Sequence, residues 1–250
     1  MKDICPNKKL EAKIWSKIIT AIEEFDLIKD GDRVIIGVSG GKDSLTLLRM
    51  LSRMRKFKKL NFELIVGHMA ADVSSGNIDR PETIEEICKK FDVPFYCEKV
   101  SLKNPEFNKR GKVDCYWCSY QRRRVIFKLA EEHKCTKIIF AHHQDDFVIT
   151  SFMNLFYISS VLPMRVKHSF FDGKYDIIRP MCLVREKEVI EYAKIMEFPS
   201  SPCNCPIGKD GRREEVAGIL KNLEKNNKGI VDSVFWAYVK NSRSVEGWEV

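Results

Sequence analysis

Apolar residues recur along this chain with two alternating periods, and that alternation sets the expected architecture. Leu10, Ile14, Ile18, Ile22 and Phe25 fall on one face of a 3.6-residue repeat, which predicts an amphipathic helix. Val34-Ile35-Ile36 is a β-branched run, the pattern of a buried strand, and the periodic stretch Leu45, Leu47, Leu48, Leu51 follows it. Further strands are predicted over 62–67, 94–97, 137–141 and 175–178. Helical patterns lie between them, over 45–54, 81–91, 116–133, 145–157 and 186–196. Strands that alternate with helices predict an α/β fold, a parallel sheet flanked by helices and joined by right-handed crossovers. In such a sheet ligands bind beyond the carboxyl ends of the strands. Residues 198–211, rich in Pro, Ser, Cys and Gly, form the clearest break, with helices predicted after it over 212–223 and 230–239. The pattern thus divides into an N-terminal helical segment (1–30), an α/β domain (31–200), and a cysteine loop with C-terminal helices (201–250).

Composition narrows the class. With 250 residues, 44% apolar and 31% charged, the chain can bury a sizeable core and reads as a soluble globular protein. No stretch approaches the ~20 apolar residues of a spanning helix. The start, Met1-Lys2-Asp3-Ile4-Cys5, lacks the charge and apolar order of a signal peptide, so a cytoplasmic location is expected. In that reducing compartment nine cysteines point to metal or redox chemistry rather than a disulfide framework. The net charge of +8 favours a polyanionic partner.

The sharpest local signal is Ser39-Gly40-Gly41-Lys42-Asp43-Ser44, placed between strand and helix. A helix start carries unpaired N–H groups and a positive dipole end, a seat for an anion such as pyrophosphate. Gly40 and Gly41 let backbone approach phosphate oxygens, and Ser39 and Ser44 add hydroxyl donors. Two better-known phosphate loops are excluded. Lys42 is followed by Asp43, not the Ser or Thr a P-loop needs, and Ser39 stands where the dinucleotide pattern needs glycine. An ordinary glycine turn is the plain alternative.

Cys115-Tyr116-Trp117-Cys118 has the spacing for two thiolates on one metal centre or iron–sulfur cluster, or for a dithiol redox pair. A second group, Cys203-Asn204-Cys205, lies in a Pro-flanked loop, and the two share a site if the loops converge. Cys88, Cys97, Cys135 and Cys182 read as buried unpaired cysteines and Cys5 as a free thiol. Arg122-Arg123-Arg124 beside the cysteine pair, and Arg212-Arg213, are candidate RNA-phosphate contacts.

These residues together resemble the PP-loop family of ATP pyrophosphatases, in which Ser-Gly-Gly-x-Asp-Ser follows the first strand of a Rossmann-like sheet. Within it the chain looks like the tRNA 2-thiocytidine synthetases and their tRNA-thiolating relatives. That resemblance rests on Cys115-x-x-Cys118 with Arg122-Arg123, His142-His143-Gln144-Asp145-Asp146, Ile178-Arg179-Pro180, Arg185-Glu186-Lys187 and Pro202-Cys203-Asn204. It implies an ATP-dependent tRNA thiotransferase that cleaves ATP between the α and β phosphates, adenylates a pyrimidine oxygen and replaces it with sulfur, forming 2-thiocytidine. It also implies a [4Fe–4S] cluster on Cys115, Cys118 and a third cysteine, Mg²⁺, a persulfide (cysteine desulfurase) or sulfide donor, no membrane, and a homodimer. The third ligand is Cys203 or Cys205, because Cys205 follows Asn204 directly where the family pattern has an extra residue; a four-cysteine zinc site is the rival.

By the same resemblance, Ser39, Gly40, Gly41, Lys42, Asp43 and Ser44 cradle the phosphates and Asp43 places the magnesium. His142 belongs to the site unless it is only packed. Asp145 and Asp146 assist or simply cap the helix that starts there. Gly67-His68-Met69 is expected to end the second strand beside the adenine. The remaining alternatives are the same chemistry on another nucleoside or a small-molecule sulfur acceptor, or a non-catalytic zinc or cluster RNA-binding module.

Overall fold

The computed structural model describes residues 1–2, 4–57, 60–72, 81–101, 115–199 and 211–244. Six strands form one sheet: β1 (Arg33–Gly37), β2 (Glu63–Asp72), β3 (Phe95–Ser101), β4 (Lys137–Ile139), β5 (Lys167–Phe170) and β6 (Tyr175–Ile178), in the order β3-β2-β1-β4-β6-β5. All neighbouring pairs are parallel except β5–β6, which is antiparallel with Lys167 opposite Ile178. The described helices are α1 (Lys8–Glu24), α2 (Lys42–Lys56), α3 (Pro81–Lys90), α4 (Cys115–Glu132), α5 (Gln144–Tyr157), α6 (Glu186–Met196), α7 (Gly211–Asn226) and α8 (Ile230–Ser244). The sheet is therefore mostly parallel, with one reversed edge strand that the sequence pattern does not announce. Lys167-His168-Ser169-Phe170 is only four residues long and carries no apolar alternation.

Successive strand residues point to opposite faces, so β1 feeds two cores at once. Val34 and Ile36 join Leu48, Leu51, Val189 and Ile14 on one face; Ile35 joins Ile65, Ile138, Ile126 and Leu129 on the other. α1 belongs to the first core and is held by ions as well. Glu188 of α6 is buried between Lys17 at 2.8 Å and Lys13 at 2.9 Å. The Tyr192 hydroxyl accepts from Arg49 Nε and donates to Glu11, both at 2.9 Å. Val216, Leu220 and Phe235 place α7 and α8 in that first core too.

On the second face α4 lies close over the end of β1 and the middle of β2, where Gly37 and Gly67 pair side by side. A Cβ on Gly67 would stand 2.9 Å from the methyls of Ile126 and Ile35. Gly67→Ala is thus expected to cost roughly 1–3 kcal/mol of unfolding free energy, the range for overpacking a close-fitted core. Urea unfolding checks this, and a loss below ~0.5 kcal/mol would mean α4 is not docked so tightly.

Candidate nucleotide and thiol site

The carboxyl edge of the sheet gathers four segments that are far apart in sequence. They are the loop after β1, the N-terminus of α4 beyond β3, residues 140–146 after β4, and residues 179–186 after β6. Parallel strands that end at one edge produce this convergence.

The loop after β1 forms as its residue types require. Gly40 sits at φ +79, a left-handed conformation that disfavours side chains. Gly41 is the N-cap of α2 and supplies no side-chain cap, so the first N–H groups of that helix face outward. Ser44 Oγ donates to the Gly41 carbonyl at 3.0 Å, and Ser39 Oγ lies 3.5 Å from Ser44 Oγ. The loop is anchored from below: Val38 N–H donates to the Gly67 carbonyl at 2.9 Å, and His68 Nδ1–H to the Val38 carbonyl at 2.7 Å. Gly40→Ala is expected to destabilise the chain by about 1 kcal/mol and to weaken ATP binding. Urea unfolding reads the first effect and calorimetric titration with ATP the second, and wild-type affinity would contradict this account of the loop.

Asp43 carries the electrostatic signature. Its Oδ2 accepts from Lys42 Nζ at 3.2 Å, and the same ammonium lies 3.2 Å from Glu186 Oε1. Its Oδ1 is buried and has no hydrogen-bond partner, with His143 Nε2 3.9 Å away. Burial pushes the Asp43 carboxyl above its ordinary value although Lys42 stands beside it. An orphaned carboxylate oxygen at an uncapped helix start fits a divalent cation carried in with polyphosphate.

Residues 142–146 order the opposite wall. His143 is the N-cap of α5: its Nδ1 accepts from Asp146 N–H at 3.3 Å, while the Asp146 carboxylate accepts from His143 N–H at 3.0 Å. With Nδ1 accepting, Nε2 carries the proton and faces Asp43 and Glu186. Asp145 takes the Arg185 guanidinium on both oxygens at 2.9–3.2 Å and accepts from Glu186 N–H at 2.7 Å. Asp146 also accepts from Arg213 of α7. His142 Nδ1 accepts from Arg179 Nε at 3.2 Å, and burial together with the Arg179 charge pushes its pKa down to about 4.

His142 is therefore neutral at working pH. Its folded pKa lies below the unfolded value, so the unfolded chain binds more protons between pH ~6.5 and 4. Stability is expected to fall as pH drops through that window, and His142→Gln to make the fall shallower. Urea unfolding at stepped pH reads this, and an unchanged slope in the variant would contradict it.

The thiols begin one helix. Cys115 and Cys118 stand one turn apart in the first turn of α4, so their positions share a face. Cys118 is half-buried against the second core. Eight residues separate it from Ile126, about 12 Å of helix, and Ile126 packs at Gly37 and Gly67, so the pair lies toward the carboxyl end of the sheet. Two thiols at a helix N-terminus, where the dipole favours thiolate, fit a soft metal or cluster. The Cys115 side chain, Cys203 and Cys205 lie outside the described residues, and among the described ones no three metal-binding side chains converge. Arg122, Arg123 and Arg124 are exposed along α4, and the Arg123 charge reaches Arg179.

The other predicted residues divide by position. Arg212 stacks over the Tyr157 ring at 5.0 Å, and Arg213 is bound to Asp146. β2 does not end at Met69: Met69–Asp72 continue the ladder against Glu98–Ser101. His68 consequently lies buried within the sheet and supports Val38 instead of standing at a strand end. Cys97 is exposed on β3, not buried, because it sits on an edge strand. Cys88 and Cys135 are buried thiols pushed up to about 12 and about 11, hence un-ionised. Sequence pattern alone does not assign His143, Arg179 or Arg185 their partners. Their one signal is their position just after a strand end.

The model of the PP-loop domain matches residues 10–199. A tRNA-cytidine(32) 2-sulfurtransferase of Herminiimonas arsenicoxydans is 33% identical over 242 residues, 94% of this chain and 74% of that protein. The enzyme of that name from Cupriavidus necator is 36% identical over 237 residues, 92% of this chain and 73% of its own length. Among solved structures, a U34-tRNA thiolase from Methanococcus maripaludis with its [4Fe–4S] cluster superposes with a TM-score of 0.76 at 23% identity, covering 96% of this chain and 80% of that one. An NMN synthetase from Francisella tularensis, at a TM-score of 0.52 and 13% identity over 97% of each chain, shares the fold. The uncapped glycine loop, the thiol pair that opens α4 and these matches agree, and the chain belongs to the PP-loop family.

Proposed function

We propose that the protein is an ATP-dependent tRNA thiotransferase that converts a cytidine of tRNA to 2-thiocytidine, the activity its sulfurtransferase relatives are named for. The observation that carries the proposal is one sheet edge holding both an uncapped, glycine-rich anion seat with an orphaned Asp43 oxygen and a helix that opens on two thiols.

The chemistry follows from the leaving group. A carbonyl oxygen on a pyrimidine departs poorly, so it first attacks the α-phosphorus of ATP. The bond between the α-phosphorus and the bridging oxygen breaks, and pyrophosphate leaves into the cradle of Ser39, Gly40, Gly41 and Ser44. The N–H groups of α2 and the Lys42 ammonium meet the charge that develops there. Asp43 would hold Mg²⁺, which when bound would neutralise phosphate charge as pyrophosphate leaves. A sulfur nucleophile then adds to the activated carbon, the carbon–oxygen bond breaks, and AMP departs with the former base oxygen. His142, neutral with Nε2–H free to donate, and Arg179 behind it can orient the reacting base without exchanging a proton.

Cys115, Cys118 and a third cysteine, Cys203 or Cys205, would hold a [4Fe–4S] cluster, which when bound supplies a site that carries sulfur as a nucleophile. Sulfide is the donor, or a desulfurase persulfide whose sulfur–sulfur bond is then cleaved by a thiol reductant that ends as a disulfide; the enzyme acts in the cytoplasm, and the working unit is a homodimer. Among the described residues no helix is long and apolar enough to cross a membrane. Mass spectrometry of tRNA nucleosides from a strain lacking the gene tests the reading. Loss of 2-thiocytidine, restored by the wild-type gene, supports it, and an unchanged thionucleoside profile sinks it.

A further inference from the structure

Behind the nucleotide loop an open cavity of about 460 Å³ is bordered by the first turn of α6, the last turns of α7 and the turn into α8. Five of its lining residues are basic (Arg185, Lys187, Lys221, Lys225, Lys228) and two are acidic (Glu224, Asp232), an excess of three positive charges. Both acids are already engaged from inside the protein. Glu224 accepts from Arg185 at 2.9–3.0 Å, and Asp232 from Gln144 Nε2 at 2.8 Å. The outer lysines are not so matched. Among the described residues Lys221 and Lys228 are exposed without an ion pair or hydrogen bond, and Lys225 reaches only the Asn222 side-chain oxygen at 3.3 Å. Lys221 and Lys225 stand one turn apart on α7, and Lys228 follows in the turn before Gly229. The N-terminus of α8 opens at the same rim and adds its positive dipole end.

Single small anions are held by converging, shielded donors, as in the loop at Ser39–Ser44. Here the ammonium groups are exposed and strung along a rim. That arrangement suits a partner carrying repeated charges, whose condensed counterions are released on contact. The rim is joined to the site by one chain of contacts: Arg185 binds both Glu224 and Asp145, Asp145 binds the Glu186 N–H, and the Glu186 carboxylate meets Lys42. We propose that Lys221, Lys225 and Lys228 form a docking rim for backbone phosphates of the tRNA, setting its register while the target base enters the site. The proposal rests on the tRNA reading above and adds a surface to it.

The test uses the full chain, a fluorescent tRNA transcript and the Lys221→Ala/Lys225→Ala/Lys228→Ala variant. tRNA affinity is measured against KCl concentration, and ATP affinity and the unfolding midpoint are measured in parallel. A magnitude of about two to three should be lost from the slope of log K against log [KCl], about one per phosphate contact, with affinity roughly tenfold or more weaker at physiological salt. ATP affinity and the unfolding midpoint should stay at wild-type values. Wild-type tRNA affinity and slope in the variant would overturn the docking rim and leave the thiotransferase reading intact. Weakened ATP binding with intact tRNA binding would overturn it too and reassign the cavity to nucleotide. A wild-type protein that binds no tRNA would sink the substrate reading itself and the rim with it.

Discussion

Asp43→Asn is expected to abolish thiolation, lowering kcat/KM for tRNA by roughly 10³-fold or more while the protein remains folded. The estimate combines a metal-placing carboxylate with electrostatic stabilisation of a phosphoryl transition state, each commonly worth several kcal/mol. The cause is local. Asp43 Oδ1 is buried beside the anion seat with no hydrogen-bond partner, and burial has already pushed its carboxyl upward. An ionised carboxylate there is unfavourable in the empty protein and favourable once a dication arrives. Asparagine keeps the volume and removes the charge. Lys42 keeps Glu186 as a partner, so the unfolding midpoint should hold or rise, a stability–function trade centred on one oxygen. Steady-state kinetics with a parallel thermal melt checks both halves. Activity within tenfold of wild type would remove Asp43 from the mechanism.

Cys118→Ala is expected to lose most of the iron and acid-labile sulfide of anaerobically purified protein, with thiolation reduced to background. Cys118 shares a helical face with Cys115, and a cluster held by three thiolates does not survive losing one. The cluster-free chains should differ little in stability, because Cys118 is only half-buried at a helix start. Cys97→Ala is the control: Cys97 is exposed on the edge strand β3, and its iron content should match wild type. Cys203→Ala and Cys205→Ala, assayed side by side, name the third ligand. Full iron content in Cys118→Ala, or zinc without sulfide in the wild type, would replace the cluster with another centre.

The fold was legible wherever one face or both faces of an element are buried. Val34-Ile35-Ile36 supplies both cores, and Leu10, Ile14, Ile18 and Ile22 mark the buried stripe of α1. β5 was not legible, since four half-exposed residues at a sheet edge need no apolar alternation. The nucleotide loop could be read because glycine and hydroxyl residues were required at fixed positions between strand and helix. The opposite wall could not be read in detail. Arg179 and Arg185 bind partners 37 and 40 residues away, and His143 faces Asp43 of a distant loop, and only the meeting of strand ends creates those pairs. The length of β2 was misjudged because Met69–Asp72 become strand by pairing with β3, not by their own pattern.

The most direct measurement follows the oxygen. Unmodified tRNA carrying ¹⁸O at the cytidine carbonyl is given to the cluster-loaded enzyme with ATP and sulfide, and the AMP formed is weighed by mass spectrometry. If Asp43 and its loop serve to adenylate the base, each thiolated nucleoside yields one AMP bearing the label, and pyrophosphate bears none. Unlabelled AMP alongside thiolated tRNA would mean that ATP is consumed without ever touching the base.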